Sequence, residues 1–231
     1  MNQFKSAWNF YFQNWKNLLF LSIPLLAMLI LSIYFILPKI LPIVDANQID
    51  LLVEFFNTNA ISFRVIDFFF DIVFIAFIGA LGIQFNSITN INKPLNMIAV
   101  YKKSYTKIVP LFLASFIANI AIGIALLLLI FPGIYLFARL ALFPFYIVID
   151  NEGPIKSLQS SWYSTDEYGG KLLGFTMLFF FLMMLAFSFT SAVFSFLGIF
   201  VVSILIYIEF IIFCITLNYL YFTLYESVKN M

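Results

Sequence analysis

The chain has 231 residues, 64% of them hydrophobic and only 10% charged, with a mean hydropathy of +1.05. Soluble domains carry roughly 45–50% apolar and about 25% charged residues, so lipid must solvate most of this surface, and the chain reads as an all-α, polytopic membrane protein. A net charge of +1, no histidine and one cysteine exclude a global field for nucleic acid, imidazole-based metal or nucleophile sites, and an intrachain disulfide.

In chain order, Phe4, Trp8, Tyr11, Phe12 and Trp15 fall on one helical face of residues 2–16, with Lys5, Asn9, Gln13 and Lys16 at other positions. An aromatic face beside lysines suits a helix lying in the headgroup layer. Residues 18–37 carry no charge and have the length of a first span. Val44-Asp45-Ala46 offers a processing site, but the apolar stretch exceeds the roughly 7–15 residues of a signal h-region and reads as an anchor. Pro38 and Pro42 are expected to end this helix.

Ile49, Leu52, Val53 and Phe56 make an apolar stripe opposite Asp50, Glu54 and Asn57, which predicts a short interfacial helix. The second span, 63–85, opens with Arg64, Asp67 and Asp71 on one face and continues with Ala76, Gly79, Ala80 and Gly82, small residues that admit a close neighbour. An interfacial helix over 94–106 precedes the third span, 108–131, whose Ala114, Ala118, Ala121 and Ala125 form a packing stripe. Pro132-Gly133 predicts a tight structural turn into the fourth span, 134–149. That span is short and interrupted by Pro144, so neighbouring helices must shelter its freed backbone groups. The chain leaves the membrane at Asp150-Asn151. A third interfacial helix, 154–167, starts at Pro154 and carries Ile155, Leu158 and Trp162 at helical spacing, and Gly169-Gly170 ends the segment. Spans 172–196 and 199–222 meet near Gly198, Cys214 is a small core residue, and Thr223 onward is a short polar tail.

A shift of 154 residues places Ser6-Ala7-Trp8 on Ser160-Ser161-Trp162 and Leu18-Leu19 on Leu172-Leu173. The reading is a single domain, 1–231, of three parallel units, each an interfacial helix followed by a helical hairpin; chance similarity between apolar stretches is the competing account. Lys5, Lys16, Lys93, Lys102, Lys103, Lys107, Lys156, Lys171 and Lys229 fall on one side, which makes that side and both termini cytoplasmic.

The run PGIYLFARLALFPFYIVIDNEGPIKSLQSSWYS, residues 132–164, resembles the signature of the YciC-like family of uncharacterised bacterial inner-membrane proteins. Related segments occur in the membrane domain fused to some glycerophosphoryl diester phosphodiesterases. The matching elements are Pro132-Gly133-Ile134, Arg139, Asp150 to Gly153, and Lys156 to Trp162. The clear match spans roughly residues 105–175, and the first hundred agree only in layout. The resemblance implies a six-helix inner-membrane protein and supplies no catalytic residues, and this chain carries no phosphodiesterase domain.

Chemistry, if any, rests on charges inside helices, each costing about 2.5–3.5 kcal/mol at mid-bilayer on insertion scales. Arg139, Glu209, Asp71 and Asp67 are expected to occupy the outer half of the membrane. Arg139 would meet Glu209 or the aspartates, either as a polar cavity for an anionic headgroup or solute, or as a self-neutralising pair that fixes packing. No cofactor or metal motif is present. The function classes are a non-enzymatic envelope protein in an accessory or lipid-homeostasis role, a small transporter or lipid-binding channel, and, with no motif to support it, an intramembrane enzyme. The partners implied are membrane lipid and a protein partner or second copy; the lysines and aromatics of 101–107 suit a membrane surface, not nucleic acid.

Overall fold

A computed structural model describes the backbone of residues 2–45, 49–91 and 93–230; Ala46 and the side chains of Lys39, Ile49 and Leu52 lie outside the described residues. Every regular element is helical: α1 (Asn2–Leu21), α2 (Ile23–Asp45), α3 (Ile49–Thr58), α4 (Ala60–Asn90), α5 (Met97–Tyr105), α6 (Ile108–Leu128), α7 (Ile130–Leu140), α8 (Phe143–Val148), α9 (Pro154–Ser164), α10 (Gly169–Phe194), a 3-10 turn at Ser195–Leu197, and α11 (Ile199–Lys229). Among the described residues, five stretches are long and apolar enough to cross a membrane: 60–90, 108–128, 130–148, 169–197 and 201–229. A sixth is added if α1 and α2, bent by 55°, act as one. The chain is therefore a membrane protein by length and composition of its helices.

The first bend lies at Ser22, not at residue 17. Pro24 has no N–H to give the Phe20 carbonyl, and beside it the Ser22 hydroxyl donates to the Leu19 carbonyl at 2.7 Å. The Tyr101 hydroxyl, from α5, donates to the Leu21 carbonyl at 2.6 Å, so α5 braces the break. The aromatic face of α1 divides: Tyr11 is buried, Phe4 and Trp8 pack against Phe179 of α10, and Phe12 and Trp15 remain exposed. Trp8 also meets Phe213 of α11 edge-on at 5.5 Å. Half of the expected headgroup face is thus core.

Pro38 and Pro42 do not end α2, which runs on to Asp45. Each proline removes one backbone bond, but opening the whole backbone in an apolar medium would cost several. At the other end of the chain, α11 continues to Lys229, and Leu224 and Tyr225 of the supposed tail are buried.

Packing is concentrated at one end of the molecule. In α4 the residues from Ala76 to Phe85 are almost all buried, whereas Ile61, Val65, Phe68 and Phe69 in its first half are exposed. The same end gathers Phe10, Phe85, Phe145, Tyr219 and Phe222, with Phe10 and Tyr219 stacked at 3.6 Å. The opposite end, with Leu127 to Phe131 and Phe196, is exposed apolar surface suited to lipid. The small residues of α4 act as expected: a Cβ on Gly79 would lie 2.6 Å from Ser104 Oγ, and one on Gly82 would lie 3.0 Å from Phe145. Ser104 uses that closeness to donate to the Ala76 carbonyl at 2.7 Å.

The turn between the third and fourth spans sits one step earlier than expected. Leu129 is extended (φ −158°, ψ 146°), and Pro132 and Gly133 belong to the first turn of α7. Proline is tolerated there because its missing donor would have no helical acceptor. Gly133 serves close packing instead: a Cβ would overlap the Leu126 side chain and stand 3.0 Å from its Cα. Gly198, at φ 83°, makes the joint before α11 in a conformation that favours glycine. The three short helices α1, α5 and α9 each precede long apolar helices. However, α1 runs unbroken across positions 11–14, which the 154-residue shift pairs with the turn at 165–168, so the echo is one of layout and not of register.

Candidate functional site

The site is built where the fourth span breaks. Pro144 cannot supply the N–H that a continuous helix needs, and the chain turns at Ala141-Leu142 between α7 and α8. Ser161 of α9 bridges the gap. Its hydroxyl donates to the Arg139 carbonyl at 2.8 Å and accepts from the Leu142 N–H at 3.2 Å. The Thr165 hydroxyl donates to the Ser161 carbonyl at 2.7 Å and lies 3.2 Å from the Arg139 carbonyl. Ser161 thus serves two backbone groups opened by the break at Ala141-Leu142; the acceptor that Pro144 itself leaves, the Leu140 carbonyl, is a different group.

The Arg139 side chain runs the other way across the same junction and is 2% exposed. Nη2 donates to the Trp162 carbonyl at 2.6 Å and to Asp166 at 3.0 Å, and Nη1 donates to the Tyr135 hydroxyl at 3.0 Å. The guanidinium carbon lies 4.1 Å from the centre of the Trp162 ring, a cation–π stack. A cation at the carbonyl end of α9 also complements that helix's dipole. Gly169 opens α10 directly beside it; a Cβ there would meet Arg139 Cδ and Nη1 at 3.1 Å. The Arg139 Nε is buried with no hydrogen-bond partner among the described residues.

The predicted constellation is therefore divided. The ion-pair partner of Arg139 is Asp166, 78% exposed, from the lysine-bearing loop, and not Glu209, Asp71 or Asp67. Arg139 consequently belongs to the packed end with α9, not to an outer half shared with the acids. Glu209 lies between α11 and α10, where one carboxylate oxygen accepts from the Thr190 hydroxyl; the other, like the Tyr207 hydroxyl, is buried with no hydrogen-bond partner among the described residues. Asp67 and Asp71 sit on the exposed first half of α4.

Ser161, Thr165 and Asp166 escape a reading by composition, because serines and threonines near a helix end are common. Their signal was the buried Arg139 and Pro144 two dozen residues earlier, each needing partners. The same end holds a second cluster. Asp150 accepts from Lys229 and, at 2.7 Å, from the Tyr225 hydroxyl, while Glu152 pairs with Lys156 at 3.2 Å and accepts from Ser160 at 2.7 Å. Among the described residues no group of three His, Cys, Asp or Glu side chains is placed to hold a metal ion. No family model, curated protein or solved structure matches the chain.

Proposed function

We propose that this is a non-enzymatic, multi-pass protein of the bacterial inner membrane with both termini cytoplasmic. The YciC-like resemblance implies the inner-membrane location; the role proposed here is accessory, in the envelope or in lipid homeostasis. The observation that carries the reading is the engagement of Arg139: three of its donors hold α9, Asp166 and Tyr135. The charge most suited to grasp a ligand is thus committed to architecture, as expected of a scaffold that binds lipid or a partner through its surface. Native mass spectrometry of the protein in lipid discs tests it. A copurifying protein, or phospholipid retained equally by wild type and Arg139→Gln, supports the reading. Loss of phospholipid in a folded Arg139→Gln protein would make Arg139 a ligand residue and overturn it.

A transporter is the second reading, favoured by the Glu209 oxygen and Tyr207 hydroxyl buried with no hydrogen-bond partner among the described residues. Flux into vesicles that is lost in Glu209→Gln would establish it in place of the first.

A further inference from the structure

A cavity of about 250 Å³ lies at the packed end, away from Arg139, between α4, the α5–α6 junction and the end of α8. Its lining combines Lys103, Lys107, Asn86, Asn151 and Thr106 with an apolar side formed by Ile83, Val148 and Ile149. We infer that this cavity binds an anionic phosphate ester, with the two ammonium groups on the phosphate oxygens and the apolar side facing the esterified carbon chain.

Charge favours that occupant. Two lysines line the cavity and no carboxylate does. The acids nearest in sequence are already engaged, Asp150 by Lys229 and Glu152 by Lys156, so neither neutralises the lysines. Ammonium groups are strong phosphate partners, and lysines at a membrane surface attract anionic lipid. The side-chain amides of Asn86 and Asn151 supply further donors, while the Thr106 hydroxyl donates to the Lys103 carbonyl at 2.7 Å and helps to fix the rim. Asn151 reaches the rim through a left-handed backbone (φ 58°), which asparagine adopts more readily than most residues. Lys107 also occupies the N-cap of α6, so the positive end of a 21-residue helix opens beside the cavity. The polar-and-apolar lining fits a molecule with both characters, a phospholipid headgroup; a soluble phosphate would use only the polar half. The proposal goes beyond the function above, because the cavity shares no residue with the Arg139 anchor.

The test uses the whole chain, first in lipid discs of phosphatidylglycerol or phosphatidylcholine, with bound lipid counted by native mass spectrometry. Wild type is expected to retain phosphatidylglycerol over phosphatidylcholine. Lys103→Gln with Lys107→Gln should lower that retention by about tenfold, whereas Lys102→Gln, the same charge change outside the cavity lining, should leave it unchanged. In lipid-free detergent, millimolar inorganic phosphate should raise the melting temperature of wild type and not of the double variant if the source is soluble phosphate. Retention without that rise assigns the site to the lipid. Lys103→Gln alone, at an exposed side chain, preserves the comparison if the double variant fails to fold. If Lys102→Gln matches the cavity variants, or wild type exceeds them with neither probe, the inference is wrong.

Discussion

Ser161→Ala isolates the bridge across the broken fourth span. The substitution removes one oxygen from a fully buried site and leaves the backbone helical. Two partners are affected, but unequally. The Arg139 carbonyl has the Thr165 hydroxyl 3.2 Å away, which can turn to it from the Ser161 carbonyl, whereas the Leu142 N–H loses the acceptor it has at 3.2 Å. A buried unsatisfied donor costs about 1–3 kcal/mol, and hydrogen bonds between membrane helices average about 0.6 with a ceiling near 1.7. The overlap of those ranges puts the loss at about 1–1.7 kcal/mol, or roughly 2–6 °C in melting temperature for a chain of this size.

Ser157→Ala is the control. It is equally buried and on the same helix, but its hydroxyl only donates back to the Pro154 carbonyl three residues away. Its loss should cost a few tenths of a kcal/mol. Melting in detergent followed by Trp162 fluorescence, with hydrogen exchange at the Leu142 amide, measures both effects. Restoring a continuous helix with Pro144→Ala should shrink the Ser161→Ala penalty, a coupling that a double-mutant cycle reads directly. Equal melting for the two serine variants, with the Leu142 amide still protected in Ser161→Ala, would refute the bridge.

Gly133→Ala should destabilise by about 1–3 kcal/mol, because the added methyl meets the Leu126 side chain and a backbone atom that cannot move aside. Gly123→Ala, with open space around its Cβ position, should instead be neutral or stabilising in the same melt. Burial raises the Tyr101 phenol above its ordinary value of 10.0. Stability from its contact with Leu21 is therefore complete below pH 10 and falls as pH rises through the folded value. Tyr101→Phe should cost about 1 kcal/mol at neutral pH and flatten the alkaline loss, seen as pH-dependent melting.

Features set by local forces were legible in the residues alone, and those set by distant contacts were not. Long apolar runs must be helices in lipid, so α4, α6, α10 and α11 are where periodicity and length place them. The glycines and alanines of α4 announced a close neighbour, and Ser104 and Phe145 are that neighbour. Breaks were harder. The helix breaks at Ser22, just before Pro24, but runs on through Pro38 and Pro42, and at the break the Ser22 and Tyr101 hydroxyls serve the Leu19 and Leu21 carbonyls. The burial of Arg139 was legible as a demand for an acid, but the choice of Asp166 over Glu209 was not. It depends on α9 folding back along α8, a tertiary event with no periodic signature.

The separation between the break and its repair also sets an order of assembly. Leu142 precedes Ser161 by 19 residues, and Arg139 precedes Asp166 by 27. When the fourth span first leaves the ribosome, it carries an open amide and an uncompensated cation that only later-made chain can satisfy. The packed form of this junction therefore waits for residues 161–166 to be synthesised and to fold back. A truncation just before Ser161 should leave this junction unpacked, seen as faster proteolysis between residues 139 and 144.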